Sequence, residues 1–144
     1  MSGFLGRYEY TLDDKGRVSL PAAFRRQVEG ESFVLLQWQS PALTLFPTSA
    51  WSEVSRRLLE FRRSSPEAQD QVLWITANAV DATPDKQGRI LVPSWLKEAA
   101  GLEGPVLVVG ALDRIELWNP ARFAERARAA AGPDFDRFAL KIFG

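Results

Sequence analysis

The sequence predicts a mixed β and α protein in which two tandem repeats of one strand-and-helix unit pair about a pseudo-twofold axis into a single small β-barrel decorated with helices. Three observations carry that expectation. DDKGRVSLPAAF at 13–24 is answered by DKQGRILVPSWL at 85–96, so that Asp13, Gly16, Arg17 and Pro21 match Asp85, Gly88, Arg89 and Pro93, each 72 positions on. The same offset carries downstream without insertion: Val34 and Leu35 meet Val106 and Leu107, Leu45 meets Leu117, Phe46 meets Trp118, and Trp51 meets Phe123. Either half alone holds too few strands to bury a comfortable core. Residues 1–72 and 73–144 are therefore expected to form one unit each and to share a core.

Each element follows from local chemistry. An extended stretch, Tyr8 to Leu12 or Ala79 to Thr83, leads into a polar turn ending in Gly16 or Gly88, and then into the apolar run Val18 to Leu20 or Ile90 to Val92. That pattern predicts a hairpin whose glycine takes the left-handed position. Pro21 and Pro93 suit the first turn of a short helix, where a missing N–H costs nothing, and Gly101 is a good stop for the second of these helices. A second strand pair follows in each half, Phe33 to Gln37 with Leu43 to Phe46 and Val106 to Val109 with Arg114 to Trp118. A longer helix closes each half. Asn119-Pro120 caps one, and in the other Trp51, Val54, Leu58 and Phe61 fall at helical spacing, giving a helix over roughly 49–63. Ser64-Ser65-Pro66 breaks it. Residues 67–78 stand between helix and strand entry, and Glu67, Ala68 and Gln69 tip them toward helix.

The 144 residues are 46% hydrophobic and 25% charged, which fits a folded globular chain and neither a disordered segment nor a coiled coil. With no cysteine and no histidine, the usual disulfide, zinc, haem and iron–sulfur sites cannot be assembled, and neither cofactor nor metal is expected. The start lacks the apolar core of a signal peptide and no apolar run approaches a membrane span, so a cytoplasmic protein is expected. Net charge is zero, and cations and carboxylates divide evenly between the halves, so bulk charge gives nucleic-acid binding no support. The charges are clumped, however: Lys15, Arg17, Arg25 and Arg26 lie together with no acid between them.

The strongest local signal is Asp-x-x-Gly-Arg, present at Asp13 to Arg17 and again at Asp85 to Arg89. Structurally, the aspartate caps turn N–H groups, the glycine supplies positive φ, and the arginine pairs back to the aspartate. Arg17 also alternates onto the strand face opposite Val18 and Leu20, from which a long cation can reach phosphates or guanine edges, with Lys15, Arg25 and Arg26 beside it. The pairs Arg56/Arg57 and Arg62/Arg63 suit a solvated helix face, or contact with a neighbouring subunit or DNA backbone. The five tryptophans suit core or interface positions; none alternates with basic residues as base-stacking platforms do. No nucleophile elbow, Walker loop or Gly-x-Gly-x-x-Gly occurs, so neither an enzyme nor a small-molecule substrate is expected.

FLGRYEYTLDDKGRVSLPAAFR at 4–25, DKQGRILVPSWLKEAAGL at 85–102 and DRIELWNPARF at 113–123 together resemble the MraZ family over essentially the whole chain. The resemblance implies a double SpoVT/AbrB-like, swapped-hairpin (double-split) barrel, a ring-shaped homo-oligomer, and association with the nucleoid. It also implies binding to double-stranded DNA at short direct repeats upstream of a division and cell-wall gene cluster, commonly as a repressor. Carried over by position, the family's DNA-contacting arginine falls on Arg17, beside Lys15, Arg25 and Arg26, with Lys86 and Arg89 as counterparts in the second hairpin. Two departures bear on this: Ala23 stands where many relatives are basic, and Pro84 stands where the first half has Leu12. The rivals are an oligomeric scaffold that binds no DNA and an AbrB-type antitoxin.

Overall fold

A computed structural model describes residues 3–39 and 41–144. In chain order its elements are β1 (Arg7–Thr11), β2 (Arg17–Ser19), α1 (Ala22–Gln27), β3 (Phe33–Leu36), β4 (Leu43–Pro47), α2 (Thr48–Arg62) and α3 (Pro66–Ala77), then β5 (Val80–Ala82), β6 (Arg89–Leu91), α4 (Ser94–Ala99), β7 (Pro105–Gly110), β8 (Ile115–Trp118), α5 (Pro120–Ala130) and α6 (Pro133–Phe143). The chain is thus a mixed α and β protein with antiparallel sheet. Residues 67–78 are helical almost throughout, because Ser65 Oγ accepts from the Ala68 N–H and Pro66 opens the helix. Asn119 caps α5 in the same way, accepting from the N–H groups of Ala121 and Arg122. Pro21 and Pro93 sit one residue earlier than expected, at the caps of α1 and α4.

Six strands form an open antiparallel sheet in the order β1-β7-β8-β4-β3-β5, while β2 and β6 make a two-stranded ladder of their own. The order reads the same from either end once each strand is exchanged for its repeat counterpart. A pseudo-twofold axis follows, passing between the paired residues Val18 and Ile90 in one ladder and Thr44 and Glu116 in the other. The expected hairpins are therefore only half realised. Each turn closes, with the N–H of Asp13 on the carbonyl of Arg17 and that of Asp85 on Arg89, but the strands it joins pair elsewhere: β1 with β7, β5 with β3, and β2 with β6. Local pattern fixes a turn; it does not say which strand will satisfy the backbone groups on either side of it.

The repeat also slips once. Tyr10 pairs with Val106 and its counterpart Ala82 pairs with Phe33, so β7 is displaced by one residue and Val34 answers Leu107, not Val106. Burial explains the slip. Phe33 and Leu35 face the core in one half and Val106 and Val108 in the other, and a one-residue error would turn both sets outward. The extra residue is taken up before β7, where Gly101 and Gly104 both adopt positive φ.

One continuous core lies between the sheets and the short helices. It takes Val18, Leu20 and Phe24 from the first half, Ile90, Val92 and Leu96 from the second, and Leu43, Leu45, Ile115 and Leu117 from the central strands. Phe46 against Trp51 and Trp118 against Phe123 repeat one aromatic contact that seats α2 and α5 on the outer face. Of the tryptophans, Trp118 is buried, whereas Trp38, Trp74 and Trp95 are exposed, so a core role does not hold for those three. Residues of α6 are nowhere buried, and Phe135, Phe138, Leu140, Ile142 and Phe143 stand in solvent.

Candidate nucleic-acid interface

The two Asp-x-x-Gly-Arg turns are built alike. Asp13 Oδ1 accepts from the N–H groups of Lys15 (3.0 Å) and Arg17 (2.8 Å), while its Oδ2 accepts from Arg17 Nε at 2.7 Å. In the second turn Asp85 Oδ1 accepts from Gln87 and Arg89 N–H groups, and Oδ2 from Arg89 Nε, each at 2.9 Å. Gly16 and Gly88 supply the positive φ, 81° and 78°, that closes each turn. Both carboxyls are held below the usual aspartate range, first by the backbone N–H of their own arginine and then by its guanidinium, with partial burial opposing.

Exchange of β2 and β6 places these turns side by side. Beyond the ladder, Leu20 donates its N–H to the carbonyl of Gly88 at 2.9 Å, and Val92 donates reciprocally to Gly16 at 2.8 Å. Arg89 Nη1 consequently comes within 3.8 Å of Asp13 Oδ2, the carboxylate that holds Arg17. Arg17 and Arg89 thus lie on one two-stranded ribbon, equally exposed, with Lys15 and Lys86 on the flanking turns.

The neighbours differ from those suggested by sequence proximity. Arg25 donates from Nε to the carbonyl of Leu20 at 3.2 Å and lies over Gly88, where an added Cβ would fall 2.5 Å from Nε. Its place is therefore beside the second turn, not its own. Arg26 follows it on α1, exposed. Around the ribbon the cations Lys15, Arg17, Arg25, Arg26, Lys86 and Arg89 are interspersed with the carboxylates Asp13, Asp14 and Asp85, and Glu98 and Glu103 share a groove with Asp13 and Asp14 on the flank of the first turn.

The arginine pairs of α2 behave otherwise. Arg56 binds Glu53 and Glu60 at 2.6 Å and Arg57 binds Glu53 at 3.3 Å, which raises the Arg56 pKa further and ties both to their own helix. Arg62 and Arg63 line a groove against Gln69, Asp70 and Thr76 of α3. Among the described residues no cluster of histidine, cysteine and carboxylates could hold a metal, and no helix is long and apolar enough to cross a membrane.

The sequence profile of MraZ protein, a family described as antitoxin-like, matches residues 4–73 and 75–137. Relatives from a range of bacteria bear the name transcriptional regulator MraZ. One from Leuconostoc citreum is 38% identical over 136 residues, covering 94% of both chains. One from Thermomicrobium roseum is 38% identical over 132 residues, 90% of this chain and 92% of the relative, and one from a Nocardioides species is 39% identical over 127 residues, 88% of each.

Proposed function

The chain belongs to the MraZ family, and from that premise we propose that it is a DNA-binding transcriptional regulator whose β2·β6 ribbon enters the major groove. The observation that carries this reading is the strand exchange that sets Arg17 and Arg89 on one ribbon between the two Asp-x-x-Gly-Arg turns, with Lys15 and Lys86 beside them. The major groove admits a two-stranded β-ribbon, and an arginine fork matches the O6 and N7 acceptors of guanine. Arg17 and Arg89 read base edges, while Lys15, Lys86, Arg25 and Arg26 hold phosphates. The two ladders together form the swapped-hairpin barrel of two repeats, 1–72 and 73–144, a reading supported by the reciprocal Leu20–Gly88 and Val92–Gly16 bonds.

One chain with so few cations binds weakly at physiological salt, so several copies reading spaced repeats are required. The apolar side chains that α6 leaves in solvent, with Leu73 and Trp74 of α3, support self-association, and the ring follows if that contact is head-to-tail with a rotation that closes. The family resemblance further supports repression of a division and cell-wall gene cluster from repeats upstream of it, by a cytoplasmic protein at the nucleoid. A gel-shift with the DNA directly upstream of the chain's own gene tests the reading: saturable binding that strengthens steeply with the number of repeated elements is expected, and equal affinity for one and several rejects it.

A further inference from the structure

We propose, resting on that DNA-binding reading, that Leu91 is a specificity residue which contacts a thymine C5-methyl group beside the guanine that Arg17 reads. The ribbon presents four side chains outward, because Val18 and Ile90 on the pseudo-twofold axis point into the core and are buried. In its register Arg17 lies opposite Leu91, and Ser19 lies opposite Arg89. Under the axis Arg17 answers Arg89, which preserves the symmetry, but Ser19 answers Leu91, which breaks it.

A twofold ribbon with identical halves would read a palindrome. Here one end of the outward face is a hydroxyl and the other an isobutyl group 56% exposed, set beside the Lys15-Gly16 turn. An apolar side chain beside a guanidinium in the major groove has one apolar target on a base edge, the thymine methyl, whereas a serine hydroxyl pairs with donors and acceptors of any base. The pairing Arg17–Leu91 therefore recognises a guanine next to a thymine, and the pairing Arg89–Ser19 a guanine without that constraint. Such an element is not palindromic.

The test uses the full-length protein and its Leu91→Ser and Ser19→Leu variants, both on exposed or half-exposed outward positions. Each selects duplexes from a randomised library, and the selected sites are then measured with thymines replaced singly by deoxyuridine, which removes only the methyl group. The wild type is expected to weaken about fourfold at one thymine, the effect of one apolar carbon group buried. Leu91→Ser should lose that sensitivity while keeping the guanine preference, and Ser19→Leu should gain a second sensitive position and a more palindromic site. Indifference of the wild type to every replacement, or the same sensitive thymine in Leu91→Ser, overturns the proposal while leaving DNA binding intact. Failure of the wild type to select any site removes the DNA-binding reading, and this inference with it.

Discussion

Asp13 and Asp85 each satisfy two backbone N–H groups and one guanidinium, so their charge is worth more folded than unfolded. A carboxyl with a lowered folded pKa contributes stability that is fully present above its unfolded value of about 3.9 and is lost as pH falls through the lowered one. Acid unfolding of the native chain should therefore steepen below about pH 4, and Asp13→Asn with Asp85→Asn should flatten that limb of a melting-temperature profile. A profile unchanged by the double substitution would show that these turns do not hold the acid-sensitive charge. The same geometry revises the balance between the arginines. Sequence favours Arg17, because Lys15, Arg25 and Arg26 are its neighbours along the chain; in space Arg25 sides with the second turn, and the two arginines are equally exposed. Arg17→Ala and Arg89→Ala should each weaken specific DNA binding, by roughly 1–3 kcal/mol per lost guanine contact, within the same order as one another. A loss confined to Arg17→Ala, measured by titration with melting temperature alongside, would contradict the shared ribbon. The turn chemistry was legible from Asp-x-x-Gly-Arg alone, since every bond in it spans four residues or fewer. The company each arginine keeps was not, since it depends on a strand that arrives from the other half.

Asn119 was readable as a helix start because its cap is local, whereas Ser65 was read only as part of a break, and its cap on α3 became visible in the structure. The helix α6 went unread although Pro133 in its first turn and Asp134 and Asp136 are a local start signal; it has no cap side chain, and the tandem repeat gave no register for it, because α5 is shorter than α2. Its exposed Phe138 and Ile142 are consequential if copies associate through them. Phe138→Glu with Ile142→Glu should lower the mass measured by light scattering without changing the melting temperature of the subunit, since neither side chain is buried. Unchanged assembly would place the contact elsewhere. Gly110 makes a contrasting case. Its would-be Cβ falls 2.5 Å from the backbone of Phe4 and Leu5, which cannot give way as a side chain tip would. Gly110→Ala should cost about 2–3 kcal/mol, read as a lowered denaturant midpoint with an unaltered slope.

At the scale of the molecule, the repeat announced two similar halves, yet their mutual exchange of strands lay beyond any window of sequence, because the partners of β1 and β2 are β7 and β6. Residues 1–72 expressed alone should accordingly be poorly folded or self-pair, as seen in the dispersion of an NMR spectrum. A cooperative monomer from that fragment would show that the exchange is dispensable. The exchange also has a consequence in time. During synthesis the first turn emerges long before its partner at Gly88 exists, and β1 waits for residues 105–109. Contacts so distant along the chain make folding slow and keep unpaired strand edges open meanwhile.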